Sequence, residues 1–128
     1  MSEDDYALFD NFYYGNLERE TTNNRYFREV ISTTANMQLV LMSLKPGEDI
    51  GLEIHPYTTQ FIRVEKGSGV AFIEGEELKL SDGSAVIIPL NTQHNITNTS
   101  LHENLKLYTI YSPPNHAYDR LDKNKVSD

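Results

Sequence analysis

The sequence predicts an all-β fold, a sandwich or barrel, in a single domain. Three observations carry this. Short runs of β-branched, aromatic and aliphatic residues recur from Tyr26 onward, each closed by Gly, Pro, Asn or Asp. Helical periodicity is weak throughout. The chain has 128 residues and is 38% hydrophobic, enough for one buried core and too short for two.

The elements follow in order. Residues 5–19, "DYALFDNFYYGNLER", fit either a short helical turn or an irregular wrap. "YFREVIST" is a strand that turns at Ala35-Asn36, and "MQLVLMSL" stops at Lys45-Pro46-Gly47. "IGLEIH" ends at Pro56 and "QFIRVEK" at Gly67-Ser68-Gly69. "VAFIEG" turns through Glu74-Gly75-Glu76 into "ELKL". Ser81-Asp82-Gly83 leads into "SAVIIP", then "QHNITN", then "LKLYTIYS" before Pro113-Pro114. This divides the chain into an N-terminal arm (1–25), a β-barrel (26–113) and a polar C-terminal tail (114–128) that lies on the barrel or frays from it.

One stretch departs from plain β patterning. In "GLEIHPYTTQFIRVEKG", Gly51 to Gly67, residues Glu53 and His55 share a strand face, and Gln60 shares the next with Ile62 and Val64. Polar groups on a face that otherwise packs inward call for a function. By the same parity Arg63 points outward, to the surface or an interface.

Composition narrows the classes. A net charge of −8 disfavours nucleic acid and anionic membranes as partners. The absence of Cys excludes disulfides, thiolate metal sites and a Cys nucleophile. No apolar run reaches membrane-spanning length, and the start "MSEDDYALFD" is acidic where a targeting signal is basic, so a cytoplasmic protein is expected. The triplets Asn95-Ile-Thr97 and Asn98-Thr-Ser100 are then chance glycosylation matches. No phosphate loop, dinucleotide fingerprint or Ser/His/Asp set stands out.

Two motifs resemble the signatures of the cupin superfamily. The first runs Gly47, five residues, Glu53, one, His55, four, Gln60, six, Gly67. That signature usually reads Gly, His-x-His, Glu, Gly at the same offsets. The second runs Gly83, five residues, Pro89, one, Asn91, two, His94, three, Asn98, with Asn91 where the family usually has Gly. The resemblance extends over roughly residues 25–116 and is closest to small single-domain cupins of type-2-like form. It implies a jelly-roll, double-stranded β-helix barrel, often dimeric, with a metal in its mouth.

Carried over residue by residue, the resemblance implies metal ligands at Glu53, His55, Gln60 and His94. Relative to three His and one Glu, the carboxylate moves from position 60 to position 53 and an amide replaces one imidazole. Such a set suits a divalent ion accepting mixed N/O ligands: Zn, Fe, Mn, Ni or Co. Phosphomannose isomerases, also cupins, use a similar ligand inventory. The expected function is thus a metal-dependent isomerase or epimerase acting on a small-molecule ligand, a sugar or sugar phosphate being the first candidate. The alternatives are a metal-dependent dioxygenase, a non-catalytic ligand-binding module, and a structural dimer with a vestigial site, in which Glu53 and His55 bond each other and Gln60 satisfies a backbone group. A homodimer is expected, with Tyr108 and Ile110 facing outward beside Lys106. Glu53 and His116 are the candidate acid–base groups, although His116 reads first as a solvated tail residue. Tyr57 lies near the mouth, His102 in an exposed turn, and Asn98 closes the second motif structurally.

Overall fold

The computed structural model describes residues 12–126; the acidic N-terminal stretch and residues 5–11 of the arm's candidate helical segment lie outside them. One helix opens the described chain, α1 (Leu17–Asn23). Asn16 caps it by accepting from the Arg19 amide at 3.0 Å, and Glu18 and Glu20 sit at its positive end.

Nine strands follow: β1 (Arg28–Thr33), β2 (Gln38–Leu44), β3 (Thr59–Lys66), β4 (Gly69–Ile73), β5 (Glu76–Leu80), β6 (Ala85–Ile88), β7 (His94–Asn98), β8 (Leu105–Ser112) and β9 (Leu121–Asp122). They form a six-stranded sheet, β6-β3-β8-β2-β1-β9, and a three-stranded sheet, β5-β4-β7. All pairings are antiparallel. The fold is an all-β jelly-roll barrel.

Strand parity sorts the side chains. From β8, Leu105, Leu107, Thr109 and Tyr111 point inward, while Lys106, Tyr108 and Ile110 face out. The core is Val40, Met42, Leu44, Ile62, Val64, Leu105 and Leu107 from the larger sheet against Ala71, Leu80 and Ile96. Two turns show why particular residues are required. Glu74 (φ 47°) and Gly75 (φ 85°) make the two-residue β4–β5 loop, whose positive φ values match a twisted hairpin. At Gly67 (φ 118°) a Cβ would lie 3.0 Å from the Asn104 carbonyl.

The expected strand "IGLEIH" is only partly formed. Residues 49–53 touch β7 through two isolated bridges, Asp49–Thr97 and Glu53–His94, and no regular ladder develops. Gly51 at φ 108° interrupts the extended backbone. Parity nonetheless survives: Leu52 and Ile54 are exposed while His55 is buried.

The C-terminal segment is tied down by one buried amide. Gln38, fully buried, donates to the Thr33 hydroxyl at 3.0 Å and the His116 carbonyl at 2.8 Å. Its oxygen accepts from the Asn115 and His116 amides at 3.1 and 2.9 Å. β9 then pairs with β1, and Arg28 of β1 meets Asp122 at 2.8 Å. Gln38→Leu strands three backbone groups, so we expect a loss of about 2–3 kcal/mol of stability in denaturant melts. Amide exchange at Asn115 and His116 should rise with it; unchanged protection there would show that the tail does not depend on Gln38.

Candidate functional site

The polar residues collect at one end of the barrel. Gln60 (β3), Tyr111 (β8) and Gln38 (β2) are cross-strand neighbours, and all three are almost completely buried. Moving along the barrel, the next rows become Ile62–Thr109–Val40 and Val64–Leu107–Met42. The interior therefore grades from an apolar end to a polar one.

His55 and His94 meet at the polar end, their ring centroids 5.2 Å apart. Backbone bonds hold them there: Glu53 and His94 exchange N–H···O bonds of 2.9 and 3.0 Å, and the Asn91 amide donates to the His55 carbonyl at 2.8 Å. Asn91 has φ 60°. That is the left-handed region where Asn is the most tolerated residue after Gly, which accounts for its place in the second motif.

The His94 tautomer is set by its partner. Nδ1 lies 2.8 Å from the Thr92 carbonyl, which can only accept, so Nδ1 carries the proton. Nε2 is left with a lone pair, buried and without a hydrogen-bond partner. The Gln60 amide nitrogen donates to Thr109 Oγ1 at 2.9 Å and to the Tyr111 oxygen at 3.3 Å. Its Oε1 is likewise buried and unpartnered. His55 Nε2 is 3.3 Å from Glu53 Oε2 but makes no aligned hydrogen bond. Buried polar atoms without partners are rare in folded proteins, and several sharing one region mark a place for a ligand or ion.

Electrostatics reinforces the picture. Burial, then the neighbouring His94 and Arg28, hold the His55 pKa below its ordinary value. Burial and the Glu53 charge raise that of Tyr111, which stays protonated. His116 is driven down to about 3, chiefly by burial and then by Arg28 and Arg120. It is no solvated tail residue: its ring packs edge-on against Tyr111 with centroids 5.0 Å apart. Tyr57 and His102 are exposed, and Arg63 points outward to Glu65 at 3.1 Å. Asn98 is structural, donating to the carbonyls of Leu44 and Glu103 at 3.0 and 2.8 Å.

The structure thus brings Glu53, His55 and His94 together, with Gln60 joined to them through Tyr111. Among the described residues no three His, Asp or Glu side chains stand already grouped as a metal site. The chemistry of the donors still fits a divalent ion: two imidazoles, one carboxylate and one amide oxygen, with a lone pair of His94 and one of Gln60 unspent. The sequence reading missed Gln38, Arg28 and Tyr111. Parity could have found them, since Gln38 alternates with Val40 and Met42, Arg28 with Val30, and Tyr111 with Leu105 and Leu107.

The sequence model of the cupin domain family matches residues 40–111. This chain is a cupin. It is similar to protein L612 of Acanthamoeba polyphaga mimivirus, 48% identical over 113 residues covering 86% of this cupin and 71% of L612. It is also similar to YrkC of Bacillus subtilis (strain 168), 42% identical over 117 residues, and spans 62% of that protein's length. The crystal structure of BH2720 from Bacillus halodurans, 40% identical, superposes with a TM-score of 0.88 over 91% of this cupin and 92% of BH2720. No helix among the described residues is long and apolar enough to cross a membrane.

Acid should destabilise the cupin through His116. Its folded pKa lies below the ordinary value near 6.5, so the unfolded chain binds more protons between the two. Stability is therefore full above about 6.5 and falls as pH drops toward about 3. His55, shifted the same way, adds to the trend. Melting temperatures from pH 8 to pH 4 should decline, and His116→Gln should flatten the decline. An equal slope in both proteins would remove His116 as the cause.

Proposed function

We propose that this cupin is a metal-dependent enzyme of small-molecule metabolism, of isomerase or epimerase type, with a divalent ion held by Glu53, His55, Gln60 and His94. The observation that carries the reading is the His94 ring, whose Nδ1–H bond to Thr92 aims an unpartnered Nε2 lone pair into the interior. A hydrogen bond of that kind to the remote nitrogen is what orients a metal-binding imidazole. A bound divalent ion would supply Lewis acidity to a carbonyl or hydroxyl oxygen of the ligand.

The chain's own residues have definite parts beside it. Glu53 is the one carboxylate among the four donors and balances part of the ion's charge. Tyr111 accepts from Gln60 through its oxygen, which leaves its O–H to donate to a ligand. Its raised pKa keeps that proton in place at neutral pH. His116, neutral and weakly basic, is unsuited to take a proton from substrate. A sugar or related oxygen-rich molecule remains the first candidate ligand. A non-catalytic binding role would use the same donors and is separated from catalysis by a turnover assay.

Elemental analysis of the purified protein should find a near-stoichiometric divalent metal. A chelator should lower the melting temperature and Zn, Mn, Fe, Ni or Co should restore it, since saturation about 100-fold above Kd contributes about 2.7 kcal/mol. Glu53→Gln should abolish most of that response and Gln60→Ala should reduce it less, an amide oxygen being the weaker donor. A metal-free protein with an unchanged melt under every ion would sink this reading.

We propose further that the protein is a homodimer through the outer face of the larger sheet. Ile87, Phe61, Ile110 and Leu39 form one apolar row across four strands, and Ile87 is largely exposed. Light scattering at micromolar concentration should give twice the chain mass, and Ile87→Lys should halve it. A monomer in wild type would refute the dimer.

A further inference from the structure

The interior holds a second set of buried polar groups that the metal donors do not use. Arg28, on β1, is 6% exposed and lies over the Phe27 ring. Its Nη1 binds Asp122 Oδ2 at 2.8 Å, yet its Nε is buried with no partner. Arg120 binds the same Asp122 oxygen through Nε at 3.0 Å. Through Nη1 it reaches His116 Nδ1 at 3.1 Å.

Arginine can only donate, so His116 Nδ1 accepts and the proton of the neutral ring sits on Nε2. That Nε2–H is also buried and also lacks a partner. Two buried N–H donors are thus left unspent at the two ends of one bonded chain, Arg28–Asp122–Arg120–His116. The location ties them to the metal candidates. The Tyr111 ring stands edge-on to His116 at 5.0 Å and to His55 at 5.8 Å, so it forms a wall common to both sets.

We propose that Arg28 Nε–H and His116 Nε2–H are an anion-recognition pair that takes the carboxylate of a small hydroxy or oxo acid. The oxygens at the other end of that ligand then face His55 and His94. This names the substrate class of the site under Proposed function and rests on that reading only for the far end. The choice of a carboxylate follows from the inventory. Arg28, Arg120 and Asp122 sum to one positive charge, which a monoanion neutralises. Two donors match two carboxylate oxygens, whereas a phosphate dianion brings more oxygens and more charge than the pair can meet. A neutral amide offers only one acceptor oxygen and would set its own N–H groups against Nε–H or Nε2–H.

The test uses the full chain labelled with nitrogen-15 and pyruvate as probe, with pyruvamide and inorganic phosphate as controls. The Arg28 Nε–H resonance is identified by its loss in Arg28→Lys. Pyruvate should move it saturably, and pyruvamide and phosphate should bind at least about tenfold more weakly. His116→Phe keeps the ring contact with Tyr111 but removes the N–H, and should weaken pyruvate by about tenfold or more. The melting response to zinc should be unchanged in that variant. If Arg28→Lys does not fold, His116→Phe carries the test alone. Equal binding of acid and amide, no pyruvate-induced shift at tens of millimolar, or an unaffected His116→Phe would overturn the proposal. Zinc is titrated separately, so loss of the metal response with pyruvate binding intact counts against the metal reading and not against this one.

Discussion

The polar end of the barrel is governed by one constraint: a buried hydrogen-bonding group must find a partner or hold a place for one. Gln38, Gln60 and Tyr111 stand in one cross-strand row of an otherwise apolar interior. Gln38 meets the constraint with backbone, spending its amide on the C-terminal segment. Gln60 meets half of it, with its nitrogen on Thr109 and Tyr111 and its oxygen uncommitted. The difference divides the row into a member whose amide is fully bonded and one whose amide oxygen is open.

The C-terminal segment follows from that division. Once Gln38 fixes residues 115–116, the His116 ring is laid on Tyr111 and β9 brings Asp122 to Arg28. A buried Arg–Asp pair contributes little net stability, because desolving two charges offsets most of their attraction. Its effect is positional. It holds one guanidinium near the imidazoles, where burial first and then the field of Arg28 lower the pKa of His55 and of His116. A neutral ring keeps one nitrogen lone pair, for an ion or for the N–H of a neighbour, and protonation would remove it.

Much of this was legible in the sequence, and the limits have physical reasons. Strand parity placed Gln60, Ile62 and Val64 inside and Arg63 outside, because period two leaves no freedom once one face is buried. It placed Glu53 beside His55 even though the segment forms only two bridges, since an extended backbone alternates its side chains without a complete ladder. The burial of His116 was not legible. Nothing in "PNHAYDR" reveals that its backbone is captured by Gln38, 78 residues away. The same holds for Arg28, whose Asp122 partner lies 94 residues on. Contacts at that separation depend on the sheet order, which local pattern does not specify.

The exchange of carboxylate and amide between positions 53 and 60 fits the gradient of burial. Position 60 is nearly sealed, and the Glu53 side chain keeps 28% of its exposure. An ionised carboxylate at the deep position would need a cation or several donors to offset its desolvation. Here the neutral amide occupies that depth, with two hydroxyl-bearing neighbours taking its N–H groups. The charge sits instead at the rim, where water offsets part of its cost and His55 stands 3.3 Å away. The two departures from the usual motif are therefore coupled by burial: the charge stands at the more exposed position and the neutral amide at the deeper one. Thr109 and Tyr111, whose oxygens receive the Gln60 amide, are the side chains that make the swap tenable.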